Sequence, residues 1–298
     1  MNSLAQTDGS DLAGEDGGEA LDLGLSGAPG DEADATHERY RASQDLLVAS
    51  RIQRSFLPTR EQVLGGFRVS SEYRPAHGVG GDFYDVFEGK DGSITVVMGD
   101  VSGKGIAGAL VMARVSADIR RLAPLMESPR HLIEQLNRRF FALCSDDLFV
   151  TAVCVTLDAA SRRLTVCNAG HLLPLVRRVA GTVLTVGVAS GPPIGVFEDP
   201  LFEDELFELE LGDVVLLMTD GITEGLHSSQ DLLGRAAIAD LISQAPASGW
   251  EINRRILGAV AAHSAEHTLD DIAILALDLT ADPPRLGAAP FAEAQQLC

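Results

Sequence analysis

Eight short β-rich segments, interrupted by two pairs of helical segments, constrain the fold of this chain more than any other feature. The candidate strands cover residues 67–73, 93–99, 148–157, 163–168, 182–187, 204–210, 213–218 and 272–279. Helical patterns occupy residues 106–122, 129–144, 231–243 and 249–264. Because strands come in groups and helices in pairs, we expect an α+β layered domain rather than a repeated βαβ unit.

The two ends of the chain differ from this β-rich region. Residues 1–37 contain nine acidic residues and no Lys or Arg, a composition that predicts disorder. A helix is expected from Glu38 to Phe56, ended by Pro58, with an apolar stripe that packs either on its own domain or on a second copy of itself. The residues of the stripe are Ala42, Leu46, Ala49, Ile52 and Phe56. We therefore predict an acidic segment (1–37), a linker or regulatory helix (38–58), one domain (59–280) and a disordered tail (281–298).

The overall charge excludes some classes of partner. The formal net charge is −20, with 43 acidic against 23 basic residues, so nucleic acid and anionic membranes are not expected as partners. The sequence contains no apolar run of about 18 residues and no signal-peptide pattern, and we expect a cytoplasmic location. None of the four cysteines forms a CxxC pair, so they are expected to be reduced and to act as small apolar side chains.

Aspartates stand where several of the apolar segments begin or end. Four Asp-bearing segments stand out, 79–85 (VGGDFYD), 98–105 (MGDVSGKG), 218–225 (MTDGITEG) and 270–273 (DDIA), and the last three place an Asp where an apolar run ends or begins. A single Asp-Gly pair usually marks a turn, but strand ends meet at one edge of a sheet and can bring distant carboxylates together. Clustered carboxylates repel one another unless a cation neutralises them. Carboxylate, carbonyl and water oxygens suit Mg²⁺ and Mn²⁺, so the pattern favours a divalent metal site.

These motifs together resemble the metal-dependent type 2C (PPM) serine/threonine phosphatases, and within them the bacterial SpoIIE-like branch. The resemblance covers roughly Glu38 to Leu279 and rests on many motifs in one order. They are the AxxIQxxFLP-like stretch Ala49–Pro58, Arg74-Pro75-Ala76, GGDFYD, GDVSGKGIAGAL, LNRRF (136–140), CNAGHLLPL (167–175), GPPIGV (191–196), TDGITE and DDIAIL. The resemblance implies a four-layer αββα sandwich, in which two antiparallel sheets are flanked by helices, preceded by one helix.

The resemblance also implies two Mn²⁺ or Mg²⁺ ions at one edge of the sandwich. Asp100 is expected to bridge the two ions, and the carbonyl of Val101 to coordinate one of them. Asp82 is expected to contribute through a metal-bound water. By the same resemblance, Asp82 and Asp100 are expected to be catalytic residues as well as metal-site residues.

The second ion is expected to bind Asp220 and Asp270, which complete the catalytic set, with Asp271 as the alternative to Asp270. Coordination to these ions would lower the pKa of a water molecule toward ~7 and so would supply a hydroxide for in-line attack on phosphorus. The residue that holds the substrate phosphate is left open. Arg74 and Lys104 are candidates, and His171 is a candidate general acid. The structural alternatives are a strand start for Arg74, a solvated side chain for Lys104 and a hydrogen-bonded turn residue for His171.

The family further implies a substrate and a mode of regulation. The expected activity is hydrolysis of phosphoserine or phosphothreonine on an anti-sigma-factor antagonist in a partner-switching pathway. Two alternatives remain at this level: a catalytically silent phosphatase-fold scaffold, and another metal-dependent phosphohydrolase. The helix at 38–56 is expected to regulate the enzyme, with homodimer formation through this helix as one route.

Overall fold

The computed structural model describes residues 29–89, 91–142, 148–188, 190–224, 234–263 and 270–279. The helices are α1 (Pro29–Arg54), α2 (Gly105–Leu122), α3 (Pro129–Phe141), α4 (Gly221–Glu224), α5 (Gly234–Ser243) and α6 (Gly249–His263). The strands are β1 (Glu61–Leu64), β2 (Phe67–Arg74), β3 (Phe83–Glu88), β4 (Ile94–Val101), β5 (Val150–Asp158), β6 (Arg163–Ala169), β7 (Leu175–Arg177), β8 (Val183–Thr185), β9 (Glu205–Glu208), β10 (Val214–Met218) and β11 (Ile272–Leu279). A short 3₁₀ helix, Ala123–Leu125, follows α2.

Two sheets form the inner layers. One has the strand order β1-β2-β11-β10-β7-β8 and the other β3-β4-β5-β6-β9, and neighbouring strands run antiparallel. Their facing sides bury one apolar cluster, to which Phe67 and Leu275 contribute from one sheet and Met98 and Val155 from the other. Burial of this apolar surface is the main force that holds the sheets together.

Helices cover the outer side of each sheet. Helices α2 and α3 pack on the five-stranded sheet through residues such as Met112 and Leu136. Helices α5 and α6 pack on the six-stranded sheet through residues such as Ile238 and Ile256. The layers confirm the predicted αββα sandwich.

Most predicted elements appear within a few residues of their expected bounds, and β11 has the bounds expected. Three strands were missed. Strands β1 and β7 have four and three residues, too few for a clear alternation. Strand β3 includes the FYD of the GGDFYD motif, which was considered only as a site motif. Helix α3 ends at Phe141 rather than at residue 144, and residues 143–147 lie outside the described part.

The predicted helix 38–56 starts earlier than expected. It runs from Pro29 to Arg54, so the last nine residues of the segment 1–37 are helical rather than disordered. Pro29 takes the first helical position, where the missing N–H is not needed. Residues 1–28 and the predicted tail 281–298 lie outside the described residues. Residues 1–44 and 45–298 form separate units, and the sheets and the site belong to the second.

The predicted apolar stripe of this helix is wrong at Ile52. Its side chain is 54% exposed, whereas the neighbouring Gln53 is only 4% exposed. The amide of Gln53 has buried polar partners in the domain, and a satisfied polar side chain can be buried at little cost. Leu46 does pack inward, against Gly78.

Two further expectations concern composition. None of the described helices combines the length and the apolar character needed to cross a membrane.

Cys154 and Cys167 face each other across β5 and β6, and both are free and fully buried, as expected for small apolar side chains. Cys144 and Cys298 lie outside the described residues.

Candidate active site

The five predicted aspartates meet at one end of the sandwich. Asp82 precedes β3 and Asp100 lies near the end of β4, both in the five-stranded sheet. Asp220 follows β10, and Asp270 and Asp271 precede β11, both in the six-stranded sheet. The negative charges are close enough that those on Asp220, Asp270 and Asp271 all raise the pKa of Asp100.

Asp82 is the most deeply buried of these carboxylates, with 1% exposure. Its Oδ2 accepts a hydrogen bond of 2.7 Å from the hydroxyl of Thr219. The same Thr219 Oγ1 accepts from the backbone N–H of Ala273 at 2.9 Å, so one hydroxyl joins the two sheets beneath the site. Burial, followed by the charge of Asp100, raises the pKa of Asp82 well above its ordinary value.

Asp100 stands beside a backbone oxygen. Burial, followed by the charge of Asp220, raises the pKa of Asp100 to about 7. A Cβ at Gly81 would lie 2.9 Å from the Val101 carbonyl oxygen and 3.1 Å from Asp100 Oδ1. Glycine at this position therefore allows the loop backbone to lie directly against two hard oxygen donors, the Val101 carbonyl and Asp100 Oδ1.

Asp270 and Asp271 are adjacent but have different environments. Asp271 Oδ1 accepts from the N–H of Ala76 at 2.8 Å and Oδ2 from the N–H of Gly81 at 2.7 Å, so both oxygens fix the loop before β3. Asp270 is only partly buried, and its Oδ2 lies 3.1 Å from Lys104 Nζ. These contacts favour Asp270 as a metal ligand and Asp271 as a clamp for the loop.

A second clamp on this loop comes from α1. Gln53 Nε2 donates to the carbonyl of Gly80 at 2.6 Å, and Gln53 Oε1 accepts from the N–H of Gly80 at 3.1 Å. Any side chain at Gly80 would fall on the Asp271 carboxylate, so the loop is held closely from both sides. Sequence reasoning missed both supporting residues, although Gln53 lies in the IQxxFLP motif and Thr219 in the TDGITE motif.

Arg120 of α2 forms hydrogen bonds with β3 and with the segment that follows α1. Its Nε donates to Asp85 Oδ2 at 2.6 Å and its Nη2 donates to the carbonyl of Phe56, just after α1, at 2.6 Å. Asp85, the second aspartate of GGDFYD, therefore forms a partly buried ion pair with a structural role. The end of α1, the loop before β3 and helix α2 are connected by direct hydrogen bonds.

Arg74 lies on the outer face of β2, on the opposite side from the buried Tyr73. Its Nε is 3.6 Å from Glu72 Oε1, and it lines a groove of about 460 Å³ beside Trp250. This groove does not include any of the five aspartates. The placement does not support a phosphate-holding role for Arg74.

His171 is buried near β5 rather than presented to a substrate. Its Nδ1 shares a hydrogen bond of 2.9 Å with Thr151 Oγ1, and its backbone N–H donates to Asn168 Oδ1 at 2.9 Å. Burial lowers the pKa of His171 to about 4, so the ring is neutral at pH 7. A neutral, buried imidazole fits the hydrogen-bonded turn role better than that of a general acid.

The chemistry of the donors fits a hard divalent cation. Within the described residues, no three acidic, histidine or cysteine side chains are already arranged as a closed metal site. An ion would therefore need the Val101 carbonyl and water molecules to complete its shell, and Mg²⁺ usually keeps several waters. Such a cation would relieve the repulsion that Asp100 exerts on Asp82 and that Asp220 exerts on Asp100.

A sandwich of two antiparallel sheets between helices, with aspartates gathered at one end, is the architecture expected of the PPM class. Residues 90–280 match the family model described as Stage II sporulation protein E (SpoIIE), and the chain belongs to this family. The matched stretch begins after Asp82, so that aspartate and Gln53 lie outside it.

Relatives support the same assignment. The chain is 26% identical over 247 residues to the phosphoserine phosphatase RsbP of Bacillus subtilis, covering 81% of this chain and 59% of RsbP. It is 24% identical over 213 residues to the phosphoserine phosphatase RsbU of Bacillus subtilis, covering 70% of this chain and 63% of RsbU. The chain thus spans about three-fifths of the length of these relatives. The PP2C domain of SiaA from Pseudomonas aeruginosa has a similar fold, with a TM-score of 0.69, 22% identity, and coverage of 81% of this chain and 98% of that domain.

Proposed function

We propose that the protein is a metal-dependent serine/threonine protein phosphatase. The observation that carries this proposal is the gathering of five aspartates from two sheets, where burial and mutual repulsion raise the pKa of Asp82 and Asp100. Folding cannot stabilise such a cluster in its ionised form without a cation. Membership of the SpoIIE family supports the same reaction.

Two Mn²⁺ or Mg²⁺ ions are proposed to bind here. Asp100 and the Val101 carbonyl would serve the first ion, with Asp82 acting through a water, and Asp220 and Asp270 would serve the second. Bound divalent ions lower the pKa of water and offset charge on phosphoryl oxygens, which together supply the hydrolytic chemistry.

The protein's own contribution is to keep the oxygens in place. Thr219 fixes the buried carboxylate of Asp82. Asp271 and Gln53 hold the loop before β3 from opposite sides, so Gly81 stays against Val101. Hydrogen bonds to such supporting groups typically affect metal affinity by about 10–100-fold.

The proposed substrate is phosphoserine or phosphothreonine on an anti-sigma-factor antagonist in a partner-switching pathway. RsbP and RsbU are each named phosphoserine phosphatases, which supports the type of bond that is cleaved. A partly exposed cluster suits a phosphorylated side chain on a protein surface, since Asp100 and Asp270 are both accessible to solvent.

The test is release of phosphate from a phosphorylated anti-sigma-factor antagonist by the full chain. We expect release with Mn²⁺ or Mg²⁺, none with a chelator, and none from the Asp100→Asn variant. Arg121→Met, which removes a charge at the far end of α2, is the matched control and should behave as wild type. Hydrolysis of free phosphoserine but of no phosphoprotein would contradict the proposed substrate.

We also propose that α1 regulates the enzyme, with a homodimer formed through residues 38–56. Leu47, Val48 and Ile52 are 57%, 53% and 54% exposed, which leaves apolar surface for a second copy. Val48→Glu with Ile52→Glu should yield a monomer in light scattering if the wild type is a dimer. A monomeric wild type would contradict the dimer.

A further inference from the structure

Lys104 is an unusual basic residue in this chain. Only two of the 23 basic residues are lysines, at positions 90 and 104. Lys104 lies between β4, which ends at Val101, and α2, which begins at Gly105. Its Nζ is 3.1 Å from Asp270 Oδ2, and its side chain is 67% exposed. An exposed positive charge therefore lies at the edge of the aspartate cluster.

Hydrogen bonds fix the backbone just before Lys104, while its side chain is largely exposed and has one ion-pair contact, to Asp270. Ser102 N–H donates to the Phe149 carbonyl at 2.9 Å, and Phe149 N–H donates to Ser102 Oγ at 2.8 Å. This pair fixes the loop two residues before Lys104. The ammonium is held by one partly exposed ion pair, a contact worth only about 0–1 kcal/mol. It can leave Asp270 at little cost.

The start of α2 adds to the positive character of this place. Lys104 is the N-cap residue, and the first turn of α2 contains no acidic side chain. Helix N-termini carry a partial positive charge, so Lys104 and the helix act in the same direction. An anion that approaches the aspartates from this side meets attraction, whereas the aspartates alone would repel it.

We propose that Lys104 holds the phosphoryl group of the substrate. The ammonium leaves Asp270 and donates hydrogen bonds to phosphoryl oxygens, staying protonated throughout, while Asp270 becomes available to a cation. A compact ammonium on a flexible stem suits this exchange of partners better than the planar, rigid guanidinium of arginine. The inference rests on the proposed phosphatase function and deepens it by naming the phosphate-binding residue.

The test compares Lys104→Met and Lys104→Arg with the control Arg121→Met, which removes a positive charge roughly 25 Å away along the same helix. Calorimetry measures binding of inorganic phosphate and, separately, of Mn²⁺; steady-state kinetics use p-nitrophenyl phosphate. For Lys104→Met we expect phosphate affinity to fall and KM to rise by about tenfold, the usual size for a lost charge-assisted hydrogen bond, with a smaller change in kcat. Mn²⁺ affinity should stay equal or increase, Lys104→Arg should recover part of the loss, and Arg121→Met should match wild type.

The possible results separate this inference from the function on which it rests. Wild-type phosphate affinity and KM in Lys104→Met would overturn the role of Lys104, as would a wild-type protein that binds no phosphate with Mn²⁺ present. A wild-type protein that binds phosphate through Lys104 but hydrolyses no ester would overturn the phosphatase proposal and leave the binding role standing.

Discussion

The side-chain amide of Gln53 forms two hydrogen bonds with the backbone of Gly80. Gln53 Nε2 donates to the Gly80 carbonyl at 2.6 Å, while Gln53 Oε1 accepts from the Gly80 N–H at 3.1 Å. Gly80 is two residues from Asp82 and is also enclosed by the Asp271 carboxylate. The last turn of α1 is therefore bonded directly to the loop that carries part of the candidate metal site.

Gln53→Met should weaken this loop, because a side chain of similar length can no longer satisfy the two buried backbone groups. We expect a loss of about 1–3 kcal/mol in the free energy of unfolding and a fall in Mn²⁺ affinity of about tenfold or more. Chemical denaturation and calorimetry measure the two effects. Gln62→Met on β1, where the amide makes only an exposed contact of 3.4 Å with Thr59, is the control. Equal behaviour of the two variants would rule out the clamp.

Thr219→Val should destabilise the protein because it removes the hydroxyl that donates to the buried carboxylate of Asp82. The expected cost is about 1–3 kcal/mol by denaturant unfolding, and Thr219→Ser should recover most of it. Thr156→Val is the matched control, since the hydroxyl of Thr156 shares a partly buried hydrogen bond with the hydroxyl of Thr95 rather than with a carboxylate. A smaller cost for Thr219→Val than for the control would contradict this account.

Asp270→Asn and Asp271→Asn should affect different properties. Asp271→Asn loses one of the two acceptors that fix the loop. The free energy of unfolding should therefore fall by about 1.5–3 kcal/mol even without metal, and the thermal midpoint should fall with it. Asp270→Asn should leave the metal-free thermal midpoint nearly unchanged and lower Mn²⁺ affinity. The reverse pattern would make Asp271 the ligand.

Ionisation of Asp100 should make the metal-free protein less stable as pH rises from about 4 to about 7, whereas His171, whose pKa is lowered to about 4, acts in the opposite direction. The pKa of Asp100 is raised to about 7 in the folded state, from an ordinary value of 3.8. Between these values the unfolded chain ionises this group while the folded protein does not, so the free energy of unfolding falls as pH rises. Asp82, whose pKa is also raised, acts in the same direction.

Thermal unfolding in the presence of chelator at pH 5 and pH 8 checks this expectation. The difference between the two midpoints should shrink in Asp100→Asn, which cannot ionise at position 100. An unchanged difference would show that Asp100 titrates normally in the folded protein.

The sequence predicted most of the strands because they carry apolar runs, while the four-layer arrangement was expected from the resemblance to the PPM class. Strand β11, for example, is buried along its whole length and appeared with its actual bounds. Asp100, Asp220 and the pair Asp270-Asp271 were found because they stand where apolar runs end or begin, whereas Asp82 was identified through the resemblance of the GGDFYD motif to the family. Strand β7 could not be predicted, since three residues such as Leu175–Arg177 show no periodicity and pair only in the assembled sheet.

The supporting contacts were beyond the sequence for a different reason. Gln53 is bonded to Gly80 across 27 residues, and Thr219 to Asp82 across 137. The apolar spacing of the helix gives no indication that Gln53, rather than Ile52, lies on the buried side. Likewise, the pair Asp270-Asp271 does not reveal which carboxylate faces solvent and which holds the backbone of Gly81.

The aspartate cluster should hydrolyse phosphate esters when divalent cations are bound. The most direct measurement is the rate of p-nitrophenyl phosphate hydrolysis with Mn²⁺ for the wild type, Asp100→Ala and Asp220→Ala, repeated with chelator. We predict hydrolysis by the wild type that stops with chelator, and a loss of at least about a hundredfold in both variants. A full rate for Asp220→Ala in the presence of Mn²⁺ would contradict the account.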